Sequence, residues 1–198
     1  MESYENDFGY SDSVTVSAVM VSMQNVGAFL AAISIWWINE RLGRKKTILI
    51  ACGVFVLGVI LQVSPTHSLV AFYIGRFVAG LGLGSMTAVA PGYNAEMAPK
   101  EIRARLGSGM QWLFALGVMI SYWIVYGTSQ METSSKQWQI PVGLQMVPPT
   151  ILGLLLLTQK ESVRWLVKKG RLHEAYENLK WHRADDGMMW LNYRIELC

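Results

Sequence analysis

This sequence is short of nearly everything that enzyme chemistry uses. Of its 198 residues only two are cysteine and three histidine. Cys52 falls inside an apolar run and Cys198 ends the chain, so there is neither a disulfide framework nor a metal-ligand spacing. No nucleophile stands beside a base and no phosphate-binding loop is present, which leaves enzymatic activity, a cofactor and a metal without support. Charge is scarce as well, with Asp, Glu, Lys and Arg together making 16% of the chain. The first thirteen residues contain Glu2, Glu5, Asp7 and Asp12 but no lysine, arginine or apolar core, so no secretory signal is legible there. The net charge of +3 collects at the ends of apolar runs and not on one continuous face, which argues against nucleic acid as a partner.

What the chain does have is apolar length. Five runs of about twenty residues, almost free of charge, match what is needed to cross roughly 30 Å of hydrocarbon. They are expected at 14–38, 47–64, 69–93, 106–126 and 140–158, with Asn39 to Lys46 a short basic loop, Pro65-Thr66-His67 a turn, and Pro148-Pro149 kinking or unwinding the last span. Lysine and arginine mark one side: four after the first span, three after the third and eight in the tail, against only Lys136 in the alternate loops. By the positive-inside rule that side is cytoplasmic, so residues 1–13 are expected outside the cell and the tail, 159–198, inside. The expectation is an all-α integral membrane protein in contact with lipid, placed in the plasma membrane. In the tail Trp165, Leu172, Ala175, Tyr176 and Leu179 recur at helical spacing, which predicts amphipathic helices against the cytoplasmic end of the bundle. Gly187 to Cys198 has no periodicity to read.

A few residues inside or at the ends of the spans carry the chemistry. Gly75, Gly80, Gly82 and Gly84 give the third span a close-packing face, with Gly80 and Gly84 at the small-xxx-small spacing. Arg76 sits within that span, where an arginine costs several kcal/mol unless paired or hydrated. Two readings stand for it: snorkelling to the outer interface, or pairing with an acid on a neighbouring helix. None of the other four spans carries an acid. Gln111 brings an amide into the fourth span on a face shared with Phe114, Ala115, Val118 and Tyr122; it is either glue between helices or the lining of a site for a polyhydroxylated ligand. At the basic ends, Arg44, Glu96, Arg103, Glu161 and Arg164 place both signs of charge on three segments, either as solvated charges or as a latch that makes and breaks.

With these residues in place, the chain resembles the sugar porter family of the major facilitator superfamily, in the style of its fungal members. Gly84, Tyr93, Glu96 and Arg103 match the family's signature after its fourth helix, Arg41-Leu42-Gly43-Arg44-Lys45 its basic loop between helices two and three, and Glu161-Ser162-Val163-Arg164-Trp165-Leu166 the segment after helix six. The likeness covers about Asp7 to Arg183 and equates the five spans with helices two to six of the family's first half. It departs at Trp36, where the family has glycine, at Glu40 in place of aspartate, at Ala104 in place of glycine, and at Lys160 and Val163 in place of two prolines.

The resemblance implies a partial six-helix half of the family's bundle, lacking helix one and the C-terminal half as partners. It implies sugar binding at Gln111 with Phe114 and Val118, proton coupling at Arg76, and a cytoplasmic gate of Arg44, Glu96, Arg103, Glu161 and Arg164. The function so implied is transport of a sugar or polyol by alternating access, facilitative or proton-linked, with this chain an inactive fragment by itself. A non-transporting sugar sensor or partner subunit is the second reading; the short tail, free of any signalling module, favours transport.

Overall fold

A computed structural model describes residues 13–64, 69–98, 102–130 and 136–182, apart from the side chains at 13, 14, 103, 136 and 179–182. The external segment expected at 1–13 (but for the backbone of Ser13), the turn at 65–67 and the end of the tail from 183 lie outside the described residues. Helix α1 is Ser13–Leu42, α2 Arg44–Val63, α3 Leu69–Met97, α4 Arg103–Ser129, α5 Lys136–Leu144, α6 Val147–Thr158, α7 Val163–Lys168 and α8 Leu172–His182. Among the described residues five stretches are long and apolar enough to cross a membrane, the fifth formed by α5 and α6 together.

Helix formation follows from the apolar runs, because in lipid a backbone must satisfy its own hydrogen bonds. The hydroxyls inside the runs are absorbed the same way: Ser34 donates to the Leu30 carbonyl at 2.9 Å and Ser85 to the Leu81 carbonyl at 2.8 Å. The basic segment expected as a loop from Asn39 to Lys46 shrinks to one residue. Helix α1 runs through Leu42, and Arg44, Lys45 and Lys46 already form the first turn of α2. Gly43 makes this reversal with a φ of 94°, a left-handed backbone that glycine adopts without a Cβ penalty. The double proline acts differently from a kink in mid-helix. The chain turns at Gln145 and Met146, and Pro148 and Pro149 then stand in the first turn of α6, where a missing N–H leaves no bond unmade.

Helices α1, α2 and α3 form the tightly packed part, and glycine sets the distances. A Cβ added at Gly80 or Gly84 would run into the backbone of Gln24 or Ala28 on α1. On the other face of α3, Gly82 meets Phe55 and Ala51 of α2, and Gly75 meets Gln62 and Gly58. One helix thus carries two small-residue seams, offset around its axis, and a neighbour closes on each. Val59, Ile48, Phe72 and Ala79 are buried between them, and Trp138 of α5 and Leu156 of α6 complete this core.

Helix α4 is the contrast. Among the described residues its contacts with α3 and α5 are few, and nearly every residue along it is exposed. The tail packs as a small separate cluster in which Trp165, Leu166 and Ala175 are buried. Leu172 and Tyr176, expected on the buried face, are more than half exposed, and the Leu179 side chain is outside the described residues. Leu166 fills the place instead, because the chain reverses at Gly170 (φ 74°) between α7 and α8 and so resets the helical phase.

Candidate functional site

The basic end of the bundle is where six helices meet through named bonds. The carboxylate of Glu96, near the end of α3, accepts from Arg44 Nη2 at 3.2 Å and from the Ser162 hydroxyl. The Arg44 and Glu96 side chains are only 16% and 15% exposed, and Ser162 is fully buried. Glu161 Oε1 accepts from the backbone N–H of Lys45 at 3.0 Å and from that of Ser162 at 3.1 Å. Its other oxygen lies 2.8 Å from where a Cβ on Gly43 would stand, so the single-residue reversal is shaped around this carboxylate.

Around that centre the helix ends are tied in turn. Lys45 Nζ donates to the carbonyls of Leu157 at 3.0 Å and Gln159 at 2.6 Å, a cation on the electron-rich C-terminal end of α6. Tyr93 donates its phenolic hydrogen to the Lys160 carbonyl at 2.8 Å. Trp165 Nε1 donates to the Glu40 carbonyl at 3.1 Å, while the Glu40 carboxylate pairs with Lys168 and Asn178 Nδ2 donates to the Glu161 carbonyl at 3.2 Å. Three of the five gate residues named from the sequence, Arg44, Glu96 and Glu161, therefore come together. Arg164 is exposed and makes no ion pair with a described residue, and the Arg103 side chain lies outside the described residues. Ser162 and Lys45 were missed. A serine next to a glutamate and a lysine next to an arginine look like ordinary loop composition until the helix ends are folded onto each other.

Arg76 has a partner of an unexpected kind. Its Nη1 donates to Gln24 Oε1 on α1 at 2.8 Å, and its guanidinium lies over the Phe72 ring at 5.2 Å. Phe72 is braced in turn by Trp138, edge to face at 6.0 Å. The sequence pointed to an acid or to snorkelling; within the bundle, one of the guanidinium nitrogens also meets a neutral amide. Gln24 is itself the α1 residue whose backbone meets Gly80, a placement that the rotation of α1 against α3 decides.

Gln111, Phe114 and Val118 do share one side of α4, but no described residue encloses them. Phe114 is 67% and Val118 56% exposed, and no described residue hydrogen-bonds Gln111. A cleft of about 250 Å³ lies elsewhere, between the end of α3 and α6, lined by Tyr93, Asn94, Met97, Leu152, Leu155 and Gln159 among others.

Comparison with known proteins places this geometry. The model of the family described as "Sugar (and other) transporter" matches residues 1–191. A probable quinate permease of Aspergillus niger is 37% identical over 191 residues, covering 92% of this chain and 35% of that protein. The quinate permease of Emericella nidulans is 33% identical over 188 residues, with the same coverage. The chain thus spans about a third of the length of these relatives. Among solved structures, the proton:xylose symporter XylE bound to 6-bromo-6-deoxy-D-glucose superposes with a TM-score of 0.82 over 92% of this chain and 44% of that one. Its inward-open form from E. coli gives 0.72 over 91% and 48%. At 22% identity both describe the fold alone. An integral membrane bundle with glycine seams between α1, α2 and α3, matched almost end to end by the family model, belongs to the sugar (and other) transporter family, as part of one half of a major facilitator superfamily fold.

Proposed function

We propose that this chain forms most of the first half of a carrier that moves a polyhydroxylated solute, a sugar or a quinate-like hydroxy acid, across the plasma membrane by alternating access. The carrying observation is the unequal finish of its two ends. The basic rim is bonded from helix to helix, whereas α4, the helix that bears Gln111, presents an intramembrane amide and open faces that need further helices. The likeness to carriers built of two halves around a midplane site supports the same reading. The further helices are a first helix beside α4 and a second half of the bundle.

In this reading Gln111 bonds solute hydroxyls, with Phe114 and Val118 as the apolar part of the lining. Arg76 serves proton coupling. Arg44, Glu96, Arg103, Glu161 and Arg164 form the gate on the cytoplasmic side, where the density of lysine and arginine puts the rim, with the N-terminus outside. Arg44 Nη1 is buried without an acceptor among the described residues, a donor that a second half can engage when the gate closes.

Uptake measurements test this. Vesicles containing this chain alone are expected to accumulate neither labelled hexose nor labelled quinate, and accumulation of either would overturn the half-site reading. In a full-length relative, alanine at the position aligned with Gln111 is expected to raise KM; unchanged affinity removes Gln111 from the site.

A further inference from the structure

Arg76 and Gln24 reach each other because of how α1 and α3 are packed. The two helices run in the same direction, and the close approach at Gly80 sets the backbone of Gln24 directly against α3. Arg76 is one turn before Gly80 on the same face. Side chains on a helix lean toward its N-terminus, so both lean the same way and meet above the glycine contact. Both residues lie within stretches long and apolar enough to cross a membrane.

Each member offers the other a bond there. A glutamine amide in hydrocarbon requires a partner, and a guanidinium requires acceptors arranged around it. The amide oxygen accepts from Arg76, and the ring of Phe72, itself held by Trp138, limits the guanidinium on a second side.

We infer that Gln24 is a positioning residue: it holds the Arg76 guanidinium in one orientation in the bundle, so that the coupling role assigned above to Arg76 depends on Gln24. The function rests on the transport reading, whereas the contact does not, and the experiment separates the two. The full chain is placed in lipid nanodiscs with ¹⁵N-labelled arginine, and Arg76→Lys identifies the Arg76 signals by their loss. The two terminal nitrogens are expected to give separate resonances, because the bond to Gln24 slows rotation of the guanidinium. Gln24→Leu is expected to merge them, and Gln24→Glu, which keeps an acceptor at the same reach, to keep them apart. Should the leucine variant fail to fold, Gln24→Asn retains an amide one methylene too short and is expected to merge them too. Resonances that stay separate in the variants lacking the reach overturn the inference, and that is also the result if Gln24 only glues helices together. In a full-length relative carrying the same pair, the leucine variant is expected to lower the maximal uptake rate several-fold at unchanged KM, with rescue by glutamate. A rate that does not fall overturns the positioning role. A relative that takes up neither sugar nor quinate before substitution counts against the transport reading alone, and the spectra still decide the contact.

Discussion

Helices α3 and α4 are similar in length, 29 and 27 residues, and each carries at least four glycines. Every glycine of α3 except Gly92 stands against a neighbouring helix, while Gly107, Gly109, Gly117 and Gly127 of α4 have nothing within 4 Å of an added Cβ. The difference shows that a glycine-rich membrane helix is not in itself a packing surface. It becomes one only when the partner presents backbone at matching intervals, as Gln24 and Ala28 do for Gly80 and Gly84.

The sharpest way to break this comparison is to fill one glycine on each helix. Gly84→Leu drives a side chain into the Ala28 backbone and is expected to cost about 3 kcal/mol, the upper end for overpacking, or to prevent folding. Gly117→Leu on α4 is expected to stay within about 0.5 kcal/mol. Thermal unfolding of detergent-solubilised protein measures both, and equal effects would abolish the distinction between the helices. Glu96→Ala comes next, because it leaves the Arg44 guanidinium and the Ser162 hydroxyl without their acceptor. The expected loss is about 2 kcal/mol. A cycle with Arg44→Ala isolates the pair, and additivity of the two changes would mean that the rim is merely solvated charge.

Gly43→Ala is expected to cost about 1–2 kcal/mol from its left-handed backbone, before any contact with Glu161 is counted. A melting temperature equal to the unsubstituted chain would show that the reversal can be made another way. The smallest effect belongs to Gln111→Ala in this chain by itself. With no described partner to lose, it should change stability by less than about 0.5 kcal/mol, and a larger drop would show that α4 is held more firmly than its exposure indicates.

Much of the architecture was legible because lipid imposes a length. Runs such as Leu69 to Tyr93 announce a crossing whatever their neighbours are, and Gly80 and Gly84 announce a contact. The Arg44, Glu96 and Glu161 cluster was legible through resemblance, since their separation in sequence says nothing about their approach. Gln24 was not, for a different reason: a single amide among apolar residues looks alike whether it faces lipid, solute or another helix, and only the relative rotation of α1 and α3 decides. Helix α1's extension through Leu42 was hidden because charged residues suit a helix end as well as a loop. The openness of α4 among the described residues was equally hidden, because an apolar face reads alike whether lipid or a further helix covers it.

The reversal at Gly43 has a bearing on how related sequences can diverge. With only one residue between α1 and α2, an inserted or deleted amino acid cannot be taken up as slack. It would turn every later position of α2 by about 100°, swinging Arg44 off Glu96 and Ala51 off Gly82 together. Residue number at this corner is therefore expected to be invariant, so kin that differ here should do so by substitution outside Gly43 and never by length.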